Sequence, residues 1–124
     1  MIYLDTHAVL WLYAGQVEKF SQHAISLLNE NEIYISVIVQ LELQYLNEIQ
    51  RITGKPNEIV SDLSDKIGLK ICEKSFNVII NHAMNLSWTR DPFDRIIVAN
   101  AALNDDVLIT KDQSILDHYP NARW

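Results

Sequence analysis

Short apolar runs alternate with longer segments of helical periodicity along the whole chain, and that alternation restricts the fold more than any other feature. Four runs are too short for helices and draw largely on β-branched and aromatic residues: Ile2 to Leu4, Ile33 to Ser36, Leu69 to Cys72 and Val107 to Thr110. Between them, apolar residues recur three and four positions apart. Strands separated by helices do not pair as tight hairpins; they form βαβ units around a parallel sheet. The expected class is therefore α/β.

The helices can be placed from caps and breakers. Thr6 is expected to cap a helix over Ala8 to Tyr13 that stops near Gly15, and Ser21 to start a second reaching about Asn29. A third runs from Val37 to Ile52, before the break at Gly54-Lys55-Pro56. Further helices are expected over Asn57 to Lys66, closed by Gly68, over Phe76 to Leu86, over Phe93 to Leu103, and briefly around Ser114 to Asp117. Asn121 to Trp124 is a candidate edge strand, giving a sheet of four to five strands.

Composition bounds the rest. With 124 residues, 48% of them hydrophobic, the chain can bury one core, and residues 1–124 are expected to form a single domain with the 54–56 break as a loop. The lone cysteine, Cys72, excludes a disulfide or a multi-thiolate zinc site within one chain and is expected to be a small buried hydrophobe. The start, Met1-Ile2-Tyr3-Leu4-Asp5, lacks the basic and long apolar regions of a secretory signal, and no segment is long enough to span a bilayer. A cytoplasmic address without a membrane partner is the expectation. The formal charge of −6 argues against a broad electrostatic grip on nucleic acid, although a bound cation would reverse the field around any acids that hold it.

Four acids stand where chemistry is expected. Ligands of open parallel sheets bind beyond the carboxyl ends of the strands, and Asp5 and Asp112 follow the first and fourth strands. Glu42 has Ile38, Val39, Tyr45 and Leu46 three and four positions away, so it lies on the inward stripe of its helix, where a charge is costly unless paired or coordinated. Asp94 leans the same way, toward Ile97 and Val98. The segment Asp91-Pro92-Phe93-Asp94-Arg95 also has a purely local reading, with Asp91 as N-cap and Pro92 at the first helical position. Asp5 and Asp112 could likewise be helix or turn initiators. Gathered in one cleft, the four acids would suit Mg²⁺ or Mn²⁺, which prefer oxygen ligands. Such an ion activates water and stabilises charge on a phosphodiester under attack. Arg90, Arg95 and Lys111 flank the acids and could hold phosphates or merely neutralise neighbours. Of the histidines, only His7 is near the expected site.

Leu4-Asp5-Thr6-His7 with Leu10-Trp11-Leu12, Ile35-Ser36 followed by Glu42, Arg90-Asp91-Pro92-Phe93-Asp94-Arg95-Ile96-Ile97-Val98-Ala99, and Leu108-Ile109-Thr110-Lys111-Asp112 together resemble the PIN-domain ribonucleases, in particular the VapC-type toxins of toxin–antitoxin pairs. The blocks span nearly the whole chain in the family's order. The resemblance implies a Rossmann-like three-layer α/β/α fold around a central parallel sheet, and Mg²⁺- or Mn²⁺-dependent endonuclease activity on RNA. It maps metal binding and catalysis onto Asp5, Glu42, Asp94 and Asp112. Thr6, Asp91, Arg95 and Thr110 are the expected supporting residues. It also implies a homodimer and a cognate antitoxin that masks the site. The alternatives from other classes are a non-catalytic PIN-like module whose apolar surface around Trp11 and Tyr13 docks a partner helix, and a metal-dependent phosphohydrolase acting on small phosphates.

Overall fold

Strand β1 (Ile2–Leu4) lies at the centre of a five-stranded parallel sheet in the computed structural model, which describes residues 1–124. Its neighbours are β2 (Ile33–Ile35) and β4 (Val107–Ile109), with β3 (Lys70–Ile71) and β5 (Ala122–Arg123) at the edges, in the order β3-β2-β1-β4-β5. Leu4 stands level with Ile35 on one side and Ile109 on the other. The chain therefore works outward in one direction from β1, then returns to build outward in the other. The reversal leaves a crevice at the carboxyl ends of β1 and β4, because the connections leaving those strands go opposite ways.

Seven helices flank the sheet: α1 (Thr6–Tyr13), α2 (Gln22–Glu30), α3 (Val37–Glu48), α4 (Pro56–Ile67), α5 (Phe76–Ala83), α6 (Pro92–Ala102) and α7 (Gln113–His118). The result is the expected three-layer α/β/α arrangement. Every residue of β1 is buried, as are Ile33, Ile35, Leu108 and Ile109, which is what a sheet covered on both faces demands. Val9, Val39, Leu43, Ile59, Leu63, Ile97, Val98 and Ile115 bring the helices onto that sheet in one continuous cluster. Burying each such side chain contributes about 1.5–3 kcal/mol. Helix α5 attaches through a smaller cluster of Ile79, Ala83 and Ala99. No helix is long and apolar enough to cross a membrane.

Several boundaries differ from the expectations, each for a local reason. Asp5, not Thr6, is the N-cap of α1; Thr6 is already helical, and its hydroxyl is free for another task. Helix α3 stops at Glu48 instead of continuing to Ile52, because Gln50 adopts a left-handed φ of 61° and the Arg51 N–H donates back to the Leu46 carbonyl. Ile52 keeps the apolar period only because the chain turns back and packs it against the core. Helix α5 ends at Ala83, while Leu86 remains in contact with both clusters from outside the helix. Helix α4 ends as expected at Gly68, whose φ of 70° would strain any residue with a Cβ. A 3₁₀ turn at Val17–Lys19 has no forerunner in the sequence reading.

Helix α3 carries Glu42, so its seating can be tested directly. Leu43 is fully buried, whereas Leu41 is 57% exposed. Leu43→Ala is expected to lower stability by about 2–5 kcal/mol in urea unfolding, and Leu41→Ala to change it by no more than about 0.5 kcal/mol.

Candidate active site

The parallel register brings distant acids to one edge. Asp5 follows β1 directly, and its backbone N–H donates to the Ile109 carbonyl at 3.2 Å, extending the ladder by one step. Its side chain is buried. One carboxylate oxygen accepts from the Ala8 N–H at 2.9 Å as the cap of α1; the other accepts from the hydroxyl of Thr110, the fully buried residue that follows β4. The same Thr110 hydroxyl accepts from the Asp112 N–H at 3.1 Å. Asp112 in turn caps α7 by accepting from the Ile115 N–H at 3.1 Å. Thr110 thus fixes the two strand-end aspartates relative to each other.

The other two acids come from helices. Glu42 lies half-buried on α3 and accepts a hydrogen bond from the Thr6 hydroxyl, the task left open when Asp5 took over the cap. Asp91 caps α6, one of its oxygens accepting from the Phe93 N–H at 2.8 Å and the Asp94 N–H at 3.2 Å, with Pro92 at the start of the helix. That start places Asp94 in the first turn, half-buried. Three helices therefore present N-termini capped by aspartates, and the positive end of each helix dipole favours the negative charge it carries.

Electrostatics tie these side chains together. The Asp94 carboxyl is pushed from its ordinary 3.8 to about 7, first by burial and then by the negative charges of Asp91, Asp112, Glu42 and Asp5. Burial also raises Asp5, against the opposing effects of the Thr110 and Ala8 hydrogen bonds and of His7, with Asp112 adding to the rise. Glu42 is raised by burial, opposed by the Thr6 hydrogen bond and His7, and pushed further up by Asp91 and Asp5. Asp94 thus senses all three of the other expected acids, and Asp91 besides.

No three acidic, histidine or cysteine side chains are drawn together closely enough to clasp an ion as they stand. Like charges without a counterion have no reason to converge, and three of these acids are held by their caps. The fit to a hard divalent cation is one of donor chemistry and charge: an all-oxygen set, with Asp94 raised by four neighbouring carboxylates. A cleft of about 300 Å³ opens beside them, lined by Asp5, His7, Trp11, Lys111 and Asp112.

The flanking cations divide. Arg95 turns away from the acids: its guanidinium donates to the Ala83 carbonyl at 3.1 Å and the Met84 carbonyl at 3.2 Å, tying α6 to the end of α5. The sequence places it next to Asp94, but helical geometry points consecutive side chains in different directions. Arg90 donates to the Ser87 carbonyl at 2.6 Å within its own loop. Lys111 does line the cleft. The cleft's aromatic wall joins His7, expected near the site, to Trp11, which the sequence did not assign to it. Its signal was the four-residue spacing that puts both on one face of α1.

Fold and site together define a Rossmann-like α/β/α protein with an acid-lined cleft at the carboxyl edge of its sheet. The chain belongs to the PIN domain family, whose sequence profile matches residues 2–121. Among solved structures it is similar to a toxin–antitoxin complex from Klebsiella pneumoniae, with 18% identity, a TM-score of 0.66, and coverage of 100% of this chain and 97% of that one. It is also similar to VapBC2 from Rickettsia felis bound to a DNA fragment from its promoter, with 20% identity, a TM-score of 0.67 and coverage of 100% and 99%. A third similar structure is VapBC-1 from nontypeable Haemophilus influenzae, with 19% identity, a TM-score of 0.53 and 94% of each chain covered. No curated protein matches the sequence.

The Asp94 shift has a defined sign. Its folded pKa of about 7 lies above the unfolded value of about 3.9, so between these values the folded state binds more protons and stability falls as pH rises. In excess chelator, the urea midpoint is expected to drop between pH 5.5 and pH 8, and Asp94→Asn to reduce that drop. An identical pH dependence in the variant would remove Asp94 as its source.

Proposed function

We propose that this chain is a Mg²⁺- or Mn²⁺-dependent endoribonuclease and the toxin of a toxin–antitoxin pair. The observation that carries the reading is the charge crowding at Asp94, raised to about 7 by burial and by Asp91, Asp112, Glu42 and Asp5, beside a cleft that Asp5 and Asp112 line. Membership of the PIN domain family supports it, as does the likeness to toxin–antitoxin assemblies.

Asp5, Asp94 and Asp112 would hold the cation, with Glu42 either completing the set or orienting and deprotonating the attacking water. A divalent ion held by few protein oxygens supplies an activated water and charge stabilisation on the phosphodiester. Thr110 keeps Asp5 aimed and favours its ionised form by donating a hydrogen bond from its hydroxyl, and Thr6 does the same for Glu42. Asp91 fixes the start of α6 and with it the position of Asp94. Lys111, on the cleft wall, steadies the phosphate beside the scissile bond.

The partners in this reading are RNA, a cognate antitoxin that covers the site, and a second copy of the chain. Val37, Leu41, Tyr45 and Ile49 form an exposed apolar stripe at four-residue intervals along α3 and its end, a surface suited to the homodimer. A non-catalytic binding module is the second reading; what favours it is that no three of the acids yet converge on one point.

The two readings part on cation dependence. Mn²⁺ is expected to raise the unfolding temperature of the wild type by several degrees, since a ligand at about a hundred times its Kd contributes about 2.7 kcal/mol, and to leave Asp94→Asn unmoved. RNA cleavage is expected to stop in excess chelator and in Asp5→Asn. Cleavage that persists in either, or a wild type indifferent to Mn²⁺, would sink the proposal.

A further inference from the structure

The acid cleft has a second wall with a different chemistry. Trp11 lines it, with His7 on one side at 6.0 Å between ring centroids and Lys111 beside it. Behind Trp11 the rings are locked together: Trp124 meets it edge-on at 5.6 Å, and Phe20 stacks on Trp124 at 4.8 Å and meets Trp11 edge-on at 6.2 Å. Phe20 is buried in the core, so the indole of Trp11 is held by packing from below.

Two ammonium groups lie over this platform. Lys19 stands 5.3 Å from the Trp11 ring centre, and Lys111 stands 6.0 Å from Trp11 and 5.9 Å from Trp124. Neither forms a salt bridge with a carboxylate of the chain; the three that exist belong to Lys66, Lys70 and Lys74. Both lysines are exposed, and Lys111 directly precedes Asp112. Two cations without a carboxylate partner, resting over aromatic rings and one of them lining the acidic cleft, match a ligand whose flat face takes their place on the ring and whose anionic group draws them to its side.

The geometry points to a binding site for an unpaired nucleotide next to the scissile phosphate, with its base stacked on Trp11 beside His7 and its phosphate held by Lys111 and Lys19. This deepens the ribonuclease reading and rests on it. It also answers how a chain of net charge −6 grips RNA: stacking on a π-face needs no positive field, and only a few phosphates need a cation. A base inside a duplex already has both faces covered, so the site selects single-stranded or looped RNA. It does not select base identity, because every base has a face to offer.

The test measures binding of a short single-stranded RNA to the unaltered protein in excess chelator, where no cleavage occurs. The same RNA with every base replaced by an abasic linker serves as the comparison. It is expected to bind at least roughly tenfold more weakly, the equivalent of about 1.4 kcal/mol. Trp11→Leu is expected to bind the intact RNA as weakly as the wild type binds the abasic chain. Lys111→Gln is expected to lower the slope of log affinity against log salt by about 0.7. An abasic chain bound as tightly as the intact RNA, or a duplex bound as tightly as the single strand, would overturn the site. So would a Trp11→Leu protein that binds and cuts RNA as the wild type does. These outcomes leave the ribonuclease reading standing, whereas a wild type that neither binds nor cuts any RNA overturns both.

Discussion

The parallel pairing of β1 with β4 is the constraint on which the rest of the site depends. It sets Leu4 level with Ile109, and the next residues on each strand, Asp5 and Thr110, are then joined by a buried hydrogen bond across 105 positions of sequence. Without that register, Asp112 would have no fixed relation to Asp5. A one-residue slip in a sheet reverses which face each side chain takes. Here it is resisted on both faces, because Leu4, Leu108 and Ile109 are each fully buried.

Charge is managed by the same elements that make the fold. Asp5, Asp91 and Asp112 each serve a helix N-terminus, so three acids that repel one another are stabilised singly by backbone N–H groups. Glu42 has the Thr6 hydroxyl. Asp94 is the side chain on which the unrelieved repulsion falls, raised by burial and by the four other acids at once. Capping and charge crowding do not compete as explanations of the Asp91-Pro92-Phe93-Asp94 segment: the cap holds the helix start in place, and the helix start holds Asp94 within reach of the other acids' charge.

Much of this was legible in the sequence because it follows from periodicity. The alternation of short runs and helical stripes fixed the α/β class, the inward position of Glu42 followed from Ile38 and Val39 although Tyr45, expected on the same stripe, is exposed, and Asp5 and Asp112 followed from strand ends. What was not legible depends on tertiary direction. Arg95 adjoins Asp94 in sequence yet is tied to carbonyls at the end of α5, and Thr6 exchanged a capping role for a bond to a residue 36 positions away. Trp11 reads as part of an apolar helix face, and only the packing of Phe20 and Trp124 behind it turns it toward the acids as a wall of the cleft. Ile52 and Leu86 kept a helical period outside any helix, because apolar spacing reports burial and not backbone conformation.

A divalent cation held among these acids would relieve the repulsion that falls on Asp94. Calorimetric titration with Mn²⁺ in buffers of different ionisation enthalpy, at several pH values, tests it most directly, because an ion that displaces a shared proton must release it to the buffer. With Asp94 at about 7, release of most of a proton per ion from this group is expected near pH 6, and clearly less at pH 8. Binding with no proton release at pH 6, or no binding at either pH, would contradict the claim.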